Sequence, residues 1–307
     1  MAELQITGDG VELAVRTWGD PADPTVVLVH GFPDTHAVWI PTAEALVDHG
    51  HHVVAYDVRG AGASQAPADL EGYRLEHLAA DLLAVVDAVS PDRPVHLVGH
   101  DWGSIQCWPA LASGRLDGRV ASFTSISGPP LDHAGRWLRA RLRDRSYLML
   151  LRQGMRSTYV GVFHLPGLAR GARAMQHAIG RTRGLWSRTL RRVDGARVDE
   201  AWPAPTFGTD VAQGMGLYRA NFRRQLRRPG PPPRIGVPVL LLVPTRDRFV
   251  PEWLFEGIEE MAPALRRRPV PASHWVVRSQ PIDLAGWIAD FAADVGVPAP
   301  ELEDAQP

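Results

Sequence analysis

The sequence predicts an α/β protein: one mostly parallel sheet, covered by helices on both faces and interrupted by a long helical insert. Three observations carry this reading. Short, β-rich apolar runs alternate with helix-spaced segments through the first 130 residues. From 131 to 228 strand signals vanish and arginine-rich, helix-periodic sequence takes over. Alternation then resumes after Arg228-Pro229-Gly230-Pro231-Pro232-Pro233, a stiff break that cannot be helix or central strand.

Element by element, GDGVELAVRTWG reads as a turn and a strand, and 25–31 (TVVLVHG) as a buried strand, apolar on both faces. A helix is expected over 37–49, a buried strand over 52–57 (HVVAYD), and a helix over 75–89, where Leu75, Leu78, Leu82, Leu83, Val86 and Val89 fall at helical spacing. Strand 95–100, helix 102–113 and strand 119–127 follow. After the break come strand 237–244, helix 252–261, strand 266–272 and helix 282–292. The organisation expected is a core over 1–130, a helical lid over 131–228, the rest of the core over 229–294 and a linker-like tail over 295–307.

The 307 residues are enough for a sizeable core, and 45% hydrophobic with 22% charged residues is ordinary globular composition. No basic-then-apolar leader opens the chain and no apolar run suits a membrane span, and the lone Cys107 has no disulfide partner within it. A reducing, cytoplasmic setting is the expectation. No CxxC or His/Cys cluster suggests a metal, and Cys107 reads as a small buried hydrophobe.

The chemistry centres on Gly99-His100-Asp101-Trp102-Gly103, between a strand and a helix. A small–x–nucleophile–x–small turn in that context is a nucleophile elbow, strained so that its central side chain stands above the sheet edge at a helix N-terminus. The bland alternative is that Asp101 only caps the following helix. Its companions point elsewhere. His30-Gly31-Phe32-Pro33 follows a strand, so the amides of Phe32 and Trp102 are placed to form an oxyanion hole. Asp247 and His274 each stand just past another strand, where sites of open α/β sheets gather. The order nucleophile, acid, histidine is that of the Ser/His/acid triad in elbow-bearing enzymes. Where serine needs a base before it attacks a carbonyl, a carboxylate is already an anion. Asp101 therefore points to displacement at a saturated carbon, giving an alkyl ester that water activated by His274–Asp247 would hydrolyse.

With HGFP, the DVRGAGAS loop (57–64), GHDWG, Asp247 and the Ser273-His274-Trp275 histidine in one order, the chain resembles the epoxide hydrolases of the α/β-hydrolase fold, with haloalkane dehalogenases as near relatives. Ser273 stands where such proteins often have glycine, a mild departure. The resemblance spans nearly the whole chain and implies hydrolysis of a small or lipid-like epoxide to a diol, with no cofactor. It also implies two lid tyrosines that protonate the opening ring. Tyr159 (YVGVFHLPG) and Tyr218 (LYRANF) lie in similar contexts, though both could simply pack the lid. A dehalogenase would need halide donors, and Phe32 stands where many of them supply asparagine. Tyr147 has no motif and reads as structural; Arg59, Gly60, Gly62 and Ser64 read as loop-shaping; His36 and His100 are candidate pocket residues without a role. A reading from another class is a non-catalytic ligand-binding module of a larger protein, since similar hydrolase halves occur fused to short-chain dehydrogenases.

Charge is sharply segregated. The chain has no lysine; residues 131–234 hold 21 arginines against six acids, +15, and the remainder 12 arginines against 28 acids, −16. A basic amphipathic lid suits an anionic membrane or acidic partner, whereas arginine stems covering apolar surface, or attraction to the acidic body, would account for it blandly. Nucleic acid is not expected, because few aromatics are arranged for base stacking.

Overall fold

A computed structural model describes residues 1–165, 167–227, 229–230 and 234–296. Most of the proline break and residues 297–307 of the linker-like tail lie outside this set. The first part comprises β1 (Ala2–Thr7), β2 (Glu12–Trp18), β3 (Thr25–Val29), α1 (Ile40–Asp48), β4 (His52–Tyr56), α2 (Leu75–Val89), β5 (Val95–His100), α3 (Trp102–Ala112) and β6 (Val120–Ile126). Among the described residues seven α-helices then follow: α4 (Leu131–Arg143), α5 (Tyr147–Arg156), α6 (Thr158–Phe163), α7 (Leu168–Ala174), α8 (Gln176–Arg181), α9 (Arg183–Thr189) and α10 (Phe207–Arg227). The chain then returns to the sheet with β7 (Val239–Pro244), β8 (Leu265–Val270), α11 (Val276–Ser279) and α12 (Pro281–Val295).

The eight strands form one sheet in the order β1-β2-β4-β3-β5-β6-β7-β8. β1 and β2 pair antiparallel, as do β2 and β4, and every other pairing is parallel. β3, β4, β5 and β7 are buried along their whole length, which explains their unbroken apolar runs. Successive side chains feed two cores. Val27, Val29 and Leu97 meet Leu82 and Trp108 on one face; Val26, Leu28 and Val98 meet Trp39, Leu46 and Phe291 on the other. Each such side chain contributes about 1.5–3 kcal/mol on burial.

Three expectations change. β1 had no strand signal because its residues are mostly exposed; it is an edge strand held by its ladder with β2 rather than by burial. The helix expected over 37–49 is a 3₁₀ turn, His36–Trp39, running into α1 with a proline in its first turn. The helix expected over 252–261 is two 3₁₀ turns, Glu252–Phe255 and Ile258–Glu260. Glu256 is extended and Gly257 adopts φ 77°, so the backbone cannot continue as one helix although Leu254, Phe255 and Ile258 still bury.

Candidate active site

Because β3, β5, β6, β7 and β8 run parallel, their carboxyl ends share one sheet edge, and the loops leaving β3, β5, β7 and β8 bring Phe32, Asp101, Asp247 and His274 together there. Asp101 forms the turn from β5 into α3 at φ 51°, ψ −120°, a strained conformation for a residue with a side chain. The turn closes only because its neighbours are small. A Cβ on Gly103 would lie 2.0 Å from the Val29 carbonyl oxygen, and one on Gly31 would lie 2.5 Å from the Asp101 carboxylate. Asp101 occupies the N-cap position of α3, yet its side chain makes no cap hydrogen bond. The carboxylate faces the loop after β3 instead.

There the Phe32 N–H donates to Asp101 Oδ2 at 2.9 Å, leaving Oδ1 3.8 Å from His274 Nε2. His274 Nδ1 lies 2.9 Å from Asp247 Oδ2, and Asp247 Oδ1 accepts from the Phe249 and Val250 amides at 2.7 and 2.9 Å. All three side chains are buried. Burial pushes the Asp101 carboxyl up, against the opposing pull of His274 and of the Phe32 and Trp102 amides. Burial works the same way on Asp247, but the His274 charge and hydrogen bond, with two amides, hold it below the usual carboxylate range. For His274 burial alone would lower the pKa; the charge and hydrogen bond of Asp247, then the charge of Asp101, push it up to about 9. The free site thus favours an imidazolium between two carboxylates.

Tyr159 of α6 and Tyr218 of α10 roof this edge. Their rings stand edge to face at 5.8 Å between centroids, and Tyr218 meets Trp102 at 4.9 Å. Burial, with the Asp101 charge and, at Tyr218, that of Tyr159, raises both phenol pKa values, so both hold their protons. Two apolar lobes of about 300 and 310 Å³ open from this point. Asp101, Tyr159, Tyr218 and Phe249 line both lobes. One runs on past Trp137, Leu150 and Phe222, the other past Phe163, Trp186 and Trp275.

Other residues singled out from sequence lie beside the site rather than in it. His36 Nδ1 pairs with Asp57 at 2.8 Å and His100 Nε2 with the His274 carbonyl at 2.9 Å, and neither lines a lobe. Arg59 is buried in an ion pair with Asp81 at 2.6 Å and so anchors its loop. Cys107 is buried, and burial raises its thiol pKa, away from nucleophilic use. Tyr147, expected to be structural, is 63% exposed.

Sequence reasoning passed over Phe249 and Asp34. The Phe249 ring stands 5.1 Å from His274 and lines both lobes. Asp34, two residues past Phe32, is buried and accepts from the indole N–H groups of Trp202 at 2.7 Å and Trp275 at 3.0 Å. Burial, partly countered by those bonds, raises its pKa to about 6. Trp202 also lies under the Arg278 guanidinium, 4.9 Å from ring centroid to carbon. These bonds clamp the segment before α10 to the sheet edge behind His274. The signal lay in the motifs' own flanks, HGFPD, RDRF and SHW, which carry these residues.

Residues 24–278 match the family model of the alpha/beta hydrolase fold. The chain is 36% identical to epoxide hydrolase A of Mycobacterium tuberculosis over 323 residues, 94% of this chain and 96% of that protein. It is also 36% identical over its whole length to the probable oxidoreductase EphD of the same species, covering 52% of that protein, so it spans about half the length of this relative. Among solved structures, an epoxide hydrolase of Bacillus megaterium has the same fold, with a TM-score of 0.77 at 21% identity over 94% of this chain and 99% of that one. Epoxide hydrolase A of Mycobacterium thermoresistibile aligns at 0.68 with 26% identity, over 96% and 98%. The chain belongs to the α/β-hydrolase fold family, on the branch that holds the epoxide hydrolases.

Proposed function

We propose that the protein hydrolyses apolar epoxides to vicinal diols through an alkyl ester on Asp101. The observation that carries this reading is a carboxylate, one oxygen already held by a backbone amide, sharing an apolar cavity with two protonated phenols. Asp101 Oδ1 attacks a ring carbon, and the carbon–oxygen bond opens as Tyr159 or Tyr218 gives the oxygen its proton. The imidazolium of His274 then restores the phenol. Charge balances: a carboxylate, an imidazolium and a neutral epoxide become a neutral ester alcohol and a neutral imidazole.

The second half uses what the first half leaves. Esterification removes the Asp101 charge, one of the causes that raise His274. His274, held by Asp247, becomes a base and draws a proton from water, whose oxygen attacks the ester carbonyl carbon. The carbonyl oxygen is the one that already faces the Phe32 amide, so the Phe32 and Trp102 amides receive its developing charge without rearrangement. The tetrahedral intermediate then breaks its bond to the substrate oxygen, which takes the proton from His274 and leaves as the diol, and the Asp101 carboxyl passes its own proton to His274, restoring the carboxylate and the imidazolium.

The named activities of epoxide hydrolase A from the two mycobacteria support the substrate class, and the apolar lobes on either side of Asp101 suit an oxirane with apolar substituents. Incubation with a panel of terminal, internal and aromatic epoxides and with haloalkanes tests the reading. Diol formation without halide release is expected; halide release without diol would make the protein a dehalogenase. Binding with neither product would make it a non-catalytic module.

A further inference from the structure

The helix that walls one cavity lobe is apolar on its outside as well. Leu150, Gln153 and Gly154 of α5, with Ser157 just past its end, line the lobe beside Trp137 and Phe222. On the exposed arc Tyr147, Leu151 and Met155 recur every four residues with Leu148 beside them, all 60–64% exposed. No residue of α5 is buried. Leu142, just before α5, and Val162 and Leu165, after it, are exposed as well. Among the described residues, ten of the fourteen large exposed hydrophobics fall between 142 and 193, although that span is arginine-rich. Large apolar side chains gathered this way on a water-facing helix mark an interaction site.

Charge says what covers it. Several insert arginines are spent within the chain: Arg141 pairs with Glu256 at 2.7 Å, Arg224 with Glu76 at 3.2 Å, and Arg156 donates to the Arg248 carbonyl at 2.9 Å. Arg143 and Arg145, just before α5, and Arg152 within it are exposed, and Asp144 is the one acid between 142 and 157. Apolar side chains flanked by cations match the boundary between acyl chains and anionic headgroups.

We propose that the α4–α5 turn and the outer face of α5 seat the protein on an anionic lipid surface, placing one wall of the substrate cavity against the lipid. An apolar epoxide dissolved in lipid then reaches the site past α5. This route rests on the proposed epoxide hydrolysis; the lipid contact does not.

Co-sedimentation with phosphatidylglycerol vesicles and with phosphatidylcholine vesicles, without any epoxide, tests the contact. The wild type should pellet with the anionic vesicles at low salt and release steeply as salt rises, since screening shortens the attraction to about 8–10 Å at physiological ionic strength. Replacing Leu148, Leu151 and Met155 together by glutamate should lower partitioning at least tenfold. Each of Arg143→Gln, Arg145→Gln and Arg152→Gln should lower it roughly fivefold. Should the triple variant fail to fold, the arginine variants and the wild-type salt series still decide. Retention of the wild type in the supernatant at low salt overturns the contact. So does equal binding by every variant, or a dimer that the triple substitution dissolves. For the route, the triple variant should lose at least fivefold in turnover of a vesicle-dissolved epoxide and keep its rate on a water-soluble one. Equal effects on both substrates overturn the route while leaving the reaction standing.

Discussion

The two walls of the cavity are built on opposite principles. The sheet edge places Asp101 and Asp247 on loops leaving fully buried strands and His274 on the loop leaving β8, and each carboxylate is fixed by backbone amides. The helical roof supplies Tyr159 and Tyr218 from elements of very different burial. α6 has no buried residue, whereas α10 buries nine, Tyr218 among them. One wall is therefore rigid and polar in its detail; the other is apolar and partly open to water. Charge separation and water activation need atoms held to fractions of an ångström, while admission of an apolar substrate needs a wall that can yield.

Removing the proposed nucleophile should have the largest effect. Asp101→Ala should abolish alkylation, with turnover falling by roughly 10⁴-fold or more as for loss of other essential nucleophiles, read by diol formation. Substantial residual activity would place the chemistry elsewhere. On the roof, Tyr159→Phe and Tyr218→Phe should each slow ring opening by roughly 10²-fold, and the pair should lose nearly all activity. The loss should fall in the alkylation step measured in a single turnover. A double variant with normal turnover would show that the roof only encloses the substrate.

The two half-reactions should also separate with pH. In the free enzyme His274 carries its proton up to about pH 9, so alkylation should hold below that pH and decline above it. Hydrolysis of the ester needs the neutral imidazole, and with the Asp101 charge gone its midpoint should lie below about 9, with the rate falling as pH drops through it. Rapid-quench rates across pH 5–10 would show this crossing; coincident profiles would contradict it. A smaller effect is expected at the clamp between the walls. Trp202→Phe strips one indole donor from the buried Asp34 carboxylate and should cost about 1–3 kcal/mol of stability, read by denaturant unfolding.

The sheet edge was legible in sequence because backbone geometry forces its residue types. Unbroken apolar runs mark strands buried on both faces, and Gly99 with Gly103 bracket a turn that tolerates no larger neighbour. The roof was only partly legible. Tyr159 and Tyr218 came from resemblance, since helix periodicity alone cannot tell a phenol that faces substrate from one that packs. Phe249 and Asp34 escaped because their importance arises from partners 25 and 168 residues away, His274 and Trp202. β1 escaped because an edge strand held by ladder bonds carries no burial pattern.

The central claim is that the chain's carboxylate, not water, makes the first bond to substrate. His274→Gln keeps the Asp101 carboxylate, its Phe32 amide and both phenols, so alkylation persists at the slower rate of a site without the imidazolium, but it removes the base that frees the ester. Intact-mass and peptide mass spectrometry after incubation with an epoxide should show one substrate mass added to the peptide carrying Asp101, accumulating in the variant and transient in the wild type. No adduct despite confirmed binding, or an adduct on Cys107, would contradict the account.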